Sequence, residues 1–528
     1  MPVKASLLSE LLLQRRAWGG GKAAADRLHR ELYELIKNEI LAGALSKGTR
    51  LPPSRVLGRE IGVSRNTVLH AYDQLLAEGY VTATVGRGTF VADVPLPQTR
   101  RQETTTAPAA NPDGGAATVL SARGAHLLAR RGASNRQWGA FAAGVPDVSL
   151  FPRDVWARLL NRHWRKPQPE LLSYSTGGGH PALRRALAEH LRLVRSVHCE
   201  PEQILITSGI HQAIDLVARL LGDVGDRAWV EDPGYWGTRS VLASNGIEVT
   251  PVPVDADGIA PSEDLLCGAA PRFIFTTPSH QYPLGMVMGL QRRLMLIEHA
   301  RQAGCWIVED DYDSEFRFEG RPLASLQGLD TQGRVIYMGT FSKTLFPGLR
   351  IGYMVLPHSI AACAGQALSE LYREGQLVQQ AALADFMVDG HYAAHIRRVR
   401  QLYARRHARL LEAIARKLGP DWPVASQEAG LHLVLMLADE MDDVRISEAL
   451  QAQRIVARPL SQYYAVPAHG RKGLLLGYAC VSEEAIDEGV QIIARVVMSS
   501  SAEVTADPAG TRYGGYLVCK LSSTSSEG

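Results

Sequence analysis

Apolar residues recur in this chain with two different periods, and the change from one to the other divides it. Near the start, Leu28, Leu32, Leu35, Ile36 and Ile40 fall at helical spacing and predict one amphipathic helix. Lys47-Gly48-Thr49-Arg50-Leu51-Pro52-Pro53 then reads as a turn and Ser54 as the cap of a short helix through Ile61. Gly62-Val63-Ser64 turns the chain into a second helix, from Arg65 to about Glu78, which Gly79 ends. Tyr80 to Val85 and Thr89-Phe90-Val91 are β-prone runs joined by Gly86-Arg87-Gly88, a hairpin by its turn chemistry. From about Ala140 to Met498, short apolar runs such as Phe273-Ile274-Phe275, Trp306-Ile307-Val308 and Val335-Ile336-Tyr337-Met338 alternate with helical stretches. That alternation predicts an α/β fold with a mainly parallel sheet.

Between the two patterns, Asp93 to about Ala125 is rich in Pro, Thr, Ala, Gly and Gln, the composition of a flexible linker. The expected organisation is a leader over 1–25, a helix-turn-helix unit with a hairpin over 26–92, a linker over 93–127 and a large α/β domain over 128–498. A polar, disordered tail over 499–528 completes it.

A chain of 528 residues with 46% hydrophobic and 21% charged positions is globular and too long for one core. Its net charge of +3 says little, but between Lys47 and His70 the cations Lys47, Arg50, Arg55, Arg59 and Arg65 face a single acid, Glu60. That local excess suits a phosphate backbone. The six cysteines are scattered, with no CxxC pair and no His/Cys cluster at metal-ligand spacing, so no metal is expected and reduced thiols are. No segment has the apolar length of a membrane span, and a cytoplasmic protein is expected.

A helix-turn-helix lays its second helix in the major groove, with the N-terminal residues at base edges. Here those residues are Ser64, Arg65, Asn66 and Thr67. Arg can bridge guanine, Asn can bridge adenine, and the hydroxyls suit phosphate at a helix N-terminus. Arg87, at the hairpin tip, suits the minor groove or a phosphate, although a basic exposed helix pair would look similar. The ordered set Leu51-Pro52-Pro53-Ser54-Arg55, Val63-Ser64-Arg65-Asn66-Thr67-Val68, Glu78-Gly79-Tyr80 and Gly86-Arg87-Gly88-Thr89-Phe90-Val91 resembles the winged helix of the GntR family of bacterial regulators. The resemblance implies operator DNA as a partner, with Arg55, Arg65, Thr67 and the wing with Arg87 and Thr89 among the contacts.

Lys343 stands in Gly339-Thr340-Phe341-Ser342-Lys343-Thr344, directly after a buried-looking strand, where a lysine is costly unless something uses it. Imine formation with pyridoxal 5'-phosphate (PLP) is one such use. Asp310, at the end of Trp306-Ile307-Val308-Glu309-Asp310-Asp311-Tyr312, could hold the pyridine nitrogen protonated. Tyr312, on the same strand face, could bond the phenolic oxygen. The same run also reads as a solvated acidic loop. Ser208, Gly209 and Ile210 form a strand-to-helix turn suited to phosphate or to simple capping. Tyr235, after Pro233-Gly234, could stack on a ring or merely pack, and Arg350 with Thr340 and Ser342 could complete a phosphate site.

Taken in order, these strings resemble fold-type I aminotransferases over roughly Ala140 to Val497, together with Tyr174-Ser175-Thr176-Gly177-Gly178-Gly179 and Pro278 to Gly285. The resemblance implies a homodimer with shared sites, Tyr174 reaching the phosphate in the neighbouring subunit. A GntR-like unit, a linker and an aminotransferase-like domain resemble the MocR subfamily, whose members include activators of PLP synthesis and of amine or amino-acid use. That implies a regulator whose large domain senses PLP, or PLP with an amine, and controls operator binding; an active aminotransferase with an attached DNA-binding unit is the alternative. Two positions depart from the aminotransferase pattern. Tyr282 stands where an Asn bonds the phenolic oxygen, and Leu475 where an Arg clamps the substrate carboxylate, with Arg239 or Arg471 as substitutes whose positions the sequence does not define.

Overall fold

A computed structural model describes residues 25–84, 86–93, 120–121, 123–125, 138–166, 168–175, 177–318, 324–373, 375–425 and 429–506. The leader apart from Ala25, most of the linker, the end of the tail, Val85 and Thr176 lie outside the described residues. The chain divides into two compact units, Met1–Gly115 and Ala116–Gly528.

In the first unit, α1 (Ala25–Leu41), α2 (Ser54–Ile61) and α3 (Arg65–Ala77) precede a hairpin of β1 (Val81–Thr84) and β2 (Gly88–Val91). Leu32, Ile36 and Ile40 from α1 pack with Leu57, Val68, Ala71, Leu75 and Val81 in one core. The helical period of α1 therefore points its apolar stripe inward. Ser54 is the first helical residue of α2, with Pro53 at the cap position and no side-chain cap bond, so the expected Ser54 cap is not formed. The Lys47–Pro53 turn also carries more structure than its composition suggests. The Leu51 amide donates to the Thr89 carbonyl at 2.9 Å and the Val91 amide to the Thr49 carbonyl at 2.9 Å, so this segment lies along β2 through one antiparallel bridge, Arg50 to Phe90.

The second unit holds an eight-stranded sheet in the order β3-β10-β9-β8-β7-β4-β5-β6. Its strands are β3 (Ile204–Thr207), β4 (Arg227–Asp232), β5 (Glu248–Asp255), β6 (Gly258–Ile259), β7 (Phe273–Thr276), β8 (Trp306–Asp311), β9 (Val335–Thr340) and β10 (Gly352–Val355). The run from β9 through β8, β7 and β4 to β5 is parallel, while β10 is antiparallel to both its neighbours. Alternation along these strands is plain: Phe273, Phe275 and Val308 enter one apolar cluster, Ile274 and Ile307 another on the opposite face. Helix α4 (Ile210–Leu221) covers the first face through Ala213, Ile214 and Val217.

A smaller antiparallel sheet follows, in the order β11-β12-β14-β13, from β11 (Val424–Ala425), β12 (His432–Met436), β13 (Arg458–Pro459) and β14 (Gly473–Gly477). It packs against α5 (His391–Leu418) and α6 (Glu483–Ala506). Helix α6 runs through residues 499–506, the start of the segment expected to be a disordered tail, while residues 507–528 lie outside the described residues. Ser499 and Ser500 donate their hydroxyls to the carbonyls of Arg495 and Val496 at 2.8 and 3.1 Å, so polar composition is absorbed within the helix. In the linker, residues 123–125 make one helical turn on which the Gly124 amide bonds the Ser121 hydroxyl at 3.1 Å.

Candidate cofactor site and nucleic-acid interface

β8 and β9 run parallel and side by side, so the residues at their carboxyl ends meet over the sheet's open edge. There Asp310, Tyr312, Thr340, Ser342 and Lys343 line a cavity of about 1160 Å3, closed by Tyr235, Ile210 and Arg350. Strand alternation separates Asp310 from Asp311. Asp311 turns to the other face, where Arg195 Nε donates to it at 2.7 Å and the Tyr337 hydroxyl at 2.6 Å. Asp310 faces the cavity with its Oδ1 buried and without a hydrogen-bond partner. Burial pushes its carboxyl up to about 7, the Asp311 charge adding to this and Lys343 opposing it.

Lys343 Nζ donates to the Gly144 carbonyl at 2.8 Å. Gly144 has φ +72°, and a Cβ there would stand 2.9 Å from that nitrogen, so only glycine lets the backbone come this close. Burial pulls the Lys343 amine down to about 8; Arg458 lowers it further, while Asp313 and Asp310 raise it. On the opposite wall Gly209, at φ +106°, begins α4, and the Arg350 guanidinium lies 3.1 Å from where its Cβ would be. A helix N-terminus and a guanidinium thus converge on one point, an arrangement that suits an anion.

The donor set fits a phosphorylated pyridine aldehyde: an amine of lowered basicity, a buried carboxylate lacking a partner, a phenol, an aromatic wall and an anion cradle in one cavity. Ser208 is exposed, its amide bonded to the Gln212 side chain at 2.6 Å, and does not line the cavity. Tyr174 is 75% exposed, with the Arg373 guanidinium 5.8 Å from its ring, also away from the cavity of its own chain.

His211 and Arg458 line the cavity without having been singled out in the sequence. His211 Nε2 lies 2.9 Å from the Tyr235 hydroxyl, and its only sequence signal was a histidine at the start of the helix of a strand-to-helix junction. Arg458 matters more. It lines the cavity from β13, its Nε buried and without a hydrogen-bond partner, and among the described residues no carboxylate pairs with it. Leu475 itself is fully buried in an apolar cluster, and the cation that lines the cavity, Arg458, stands opposite it on the neighbouring strand. Neither suggested substitute serves, since Arg239 is spent on Asp232 and the Tyr463 carbonyl and Arg471 is exposed. Tyr282 lines the cavity edge-on to Tyr235 and Tyr312, its hydroxyl donating to that of Tyr463 at 3.2 Å.

In the first unit, Ser64 caps α3 by accepting from the Thr67 amide at 3.1 Å. Arg55, Ser64, Arg65, Asn66 and Arg87 are exposed and Thr89 is half-buried, whereas Thr67 is buried and its hydroxyl lies 2.8 Å from that of Ser64. The Thr67 hydroxyl thus takes part in the cap. Arg50, exposed, lies against the wing at Gly88.

Fold and site together define a DNA-binding domain joined to an aminotransferase-type domain whose cofactor class is PLP. Residues 28–91 match the model of bacterial regulatory proteins of the gntR family, and 140–493 that of aminotransferases of class I and II. The chain belongs to the MocR-type regulators of the GntR family. It is 42% identical, over 91% of its length and 96% of the relative's, to the probable rhizopine catabolism regulatory protein MocR of Rhizobium meliloti. It is 29% identical, over 86% and 93%, to the pyridoxine biosynthesis transcriptional regulator PdxR of Corynebacterium glutamicum. Among solved structures, the α-aminoadipate aminotransferase LysN of Thermus thermophilus, complexed with N-(5'-phosphopyridoxyl)-L-leucine, superposes with a TM-score of 0.66 at 27% identity, covering 73% of this chain and 99% of that one. No helix among the described residues is long and apolar enough to cross a membrane.

Proposed function

We propose that this chain is a cytoplasmic transcriptional regulator whose large domain reads PLP together with a carboxylate-bearing amine and adjusts operator binding. The observation that carries this reading is the single cavity in which Lys343, Asp310, Tyr312 and Arg350 meet, on a chain that also bears a GntR-type unit. Bound PLP supplies a reactive aldehyde and an electron-poor ring. Lys343 would hold the aldehyde carbon, Asp310 the pyridine nitrogen, Tyr312 the ring oxygen and Tyr235 the ring face. Arg350, Thr340, Ser342 and the helix N-terminus at Gly209 and Ile210 would hold the phosphate, with Ser208, exposed and bonded to Gln212, outside that set. Arg458, whose Nε has no partner and which no carboxylate among the described residues pairs with, supports a carboxylate on the effector. Tyr174, exposed on its own chain, suits a homodimer in which it completes the partner's phosphate site.

At DNA, Arg65 and Asn66 would meet base edges, Arg55 and Ser64 phosphates, and Arg87 with Thr89 the groove beside the wing. Thr67 would act by holding Ser64. The division into a leader (1–25), a DNA-binding unit (26–92), a linker (93–127) and a sensing domain from 128 belongs to this reading. Metabolism of an amine or of vitamin B6 is the supported field of regulation, since the relatives are named for rhizopine catabolism and pyridoxine biosynthesis. Operator affinity and footprint, measured at fixed salt for protein without PLP, with PLP, and with PLP plus an amino acid, test the proposal. Identical binding in all three states would sink it.

Arg458 also favours a second reading, a working aminotransferase, because it restores the carboxylate clamp that Leu475 omits. Steady keto-acid formation from an amino-acid panel would select that reading.

A further inference from the structure

Behind the cavity wall, one ring nitrogen faces two oxygen-bearing groups. His280 Nδ1 lies 2.9 Å from the Tyr312 hydroxyl and 3.1 and 3.0 Å from the two carboxylate oxygens of Asp313. His280 and Asp313 are 3% and 1% exposed, whereas Tyr312 lines the cavity beside Asp310 and Lys343. Tyr312 and Asp313 follow β8 directly, and His280 follows β7, so the parallel pairing of these strands brings the three together. Gly430 (φ +92°) leaves them room, since a Cβ there would collide with both the His280 ring and the Asp313 carboxylate.

A single imidazole nitrogen carries either a proton or a lone pair. An ionised carboxylate only accepts, so Asp313 requires the proton on Nδ1. Nδ1 then cannot accept from Tyr312, and among the described residues no other group takes the Tyr312 hydroxyl proton, which is left to point into the cavity. Burial pushes Asp313 up, and the imidazole beside it pulls it back toward the ionised form. The charged and titratable groups around the trio are Asp310 and Asp311 from β8, Glu315 just after it, Glu231 from β4, Lys343 beyond β9, Tyr282 from the loop after β7, His432 from β12 and Tyr478 just after β14. Burial pulls His432 down to about 3, so it adds no charge.

We propose that Asp313, acting through His280, is a positioning residue that fixes the direction of the Tyr312 O–H bond so that it donates into the cavity, to the ring oxygen of the cofactor. This inference rests on the PLP reading of the cavity. Asp313→Asn replaces an obligate acceptor with an amide that can donate to Nδ1's neighbourhood; Nδ1 then keeps its lone pair, takes the Tyr312 proton, and the hydroxyl turns only lone pairs toward the cavity.

The test uses the full chain titrated with PLP, following the dissociation constant and the pH midpoint of the lysine-dependent visible band. Wild type, Asp313→Asn, Tyr312→Phe and the double variant form a cycle. Asp313→Asn is expected to bind PLP about tenfold more weakly and to move the midpoint upward, because a donor to the ring oxygenate is lost. In the Tyr312→Phe background the same change should alter affinity by no more than about twofold. Equal effects in both backgrounds, or none in either, overturn the proposal. If circular dichroism shows Asp313→Asn unfolded, His280→Gln in the same two backgrounds decides it by the same criterion. A wild-type band that survives Lys343→Ala would instead remove the PLP reading itself.

Discussion

Arg458 and Leu475 face each other across the antiparallel β13–β14 ladder, the guanidinium entering the cavity and the leucine the apolar cluster beneath it. A strand shift of one neighbour therefore relocates a buried cation without moving the cavity it serves. Because its Nε has no partner, Arg458 is held at the expense of desolvation, and an incoming carboxylate would repay part of that cost.

Arg458→Leu is accordingly expected to leave PLP affinity nearly unchanged while weakening the effect of a carboxylate-bearing amine by about tenfold to a hundredfold, the worth of a charge-assisted bond. Spectral titration of the PLP-loaded protein with an amino acid and with its decarboxylated amine checks this. A response to the amino acid equal to that of wild type would contradict it.

The sequence made Asp310, Tyr312 and Lys343 legible because each ends or follows an apolar run, and a period of two placed Asp310 and Tyr312 on one face, which the structure repeats. Arg458 was hidden for a physical reason. Its strand is two residues long and its role depends on which strand lies beside β14, a pairing that no local period reports. The bridge at Thr49–Leu51 was similarly opaque, since so short a segment pairs only when β2 offers it an edge. At Ser499 and Ser500, polar composition suggested disorder, but serines that bond carbonyls four residues back are compatible with a helix.

The pH response of Lys343 follows from its burial. With the amine pulled down to about 8, it is protonated below that pH and neutral above it, and only the neutral form attacks an aldehyde. Stopped-flow mixing of apo protein with PLP should show a rate that climbs about tenfold per pH unit and flattens above about 8. Because Arg458 lowers the amine and Asp310 raises it, Arg458→Leu should move the breakpoint up and Asp310→Asn should move it down. A breakpoint near the ordinary lysine value of about 10.4 would contradict the buried environment.

Gly209→Ala separates the phosphate cradle from the ring site. The added methyl would stand 3.1 Å from the Arg350 guanidinium on a backbone at φ +106°, a conformation that costs an L-residue about 1 kcal/mol or more. PLP should bind about tenfold more weakly, whereas pyridoxal, which lacks the phosphate, should bind as it does to wild type. Parallel titrations with the two aldehydes read the difference, and equal losses for both would show that the substitution disturbs the ring site instead.

At the DNA-binding unit, a cap and a contact should come apart on mutation. Ser64→Ala removes the oxygen that accepts from the Thr67 amide, which costs about 1 kcal/mol of stability in the first unit and lowers its melting temperature. Arg65 is exposed at the start of the same helix, so Arg65→Ala should leave the melting temperature within error. It should instead cost about 1 to 3 kcal/mol on a DNA site selected from a random pool by the wild-type protein, and relax the preference at one base pair. Arg87→Ala, in the wing, should weaken binding to all sequences alike and reduce the salt dependence by about one counterion. Thermal melts and salt titrations on the selected and a scrambled duplex distinguish these outcomes. If Arg65→Ala weakened both duplexes equally, Arg65 would be a phosphate contact, and base reading would fall to Asn66 as the remaining exposed residue of that turn able to bridge a base.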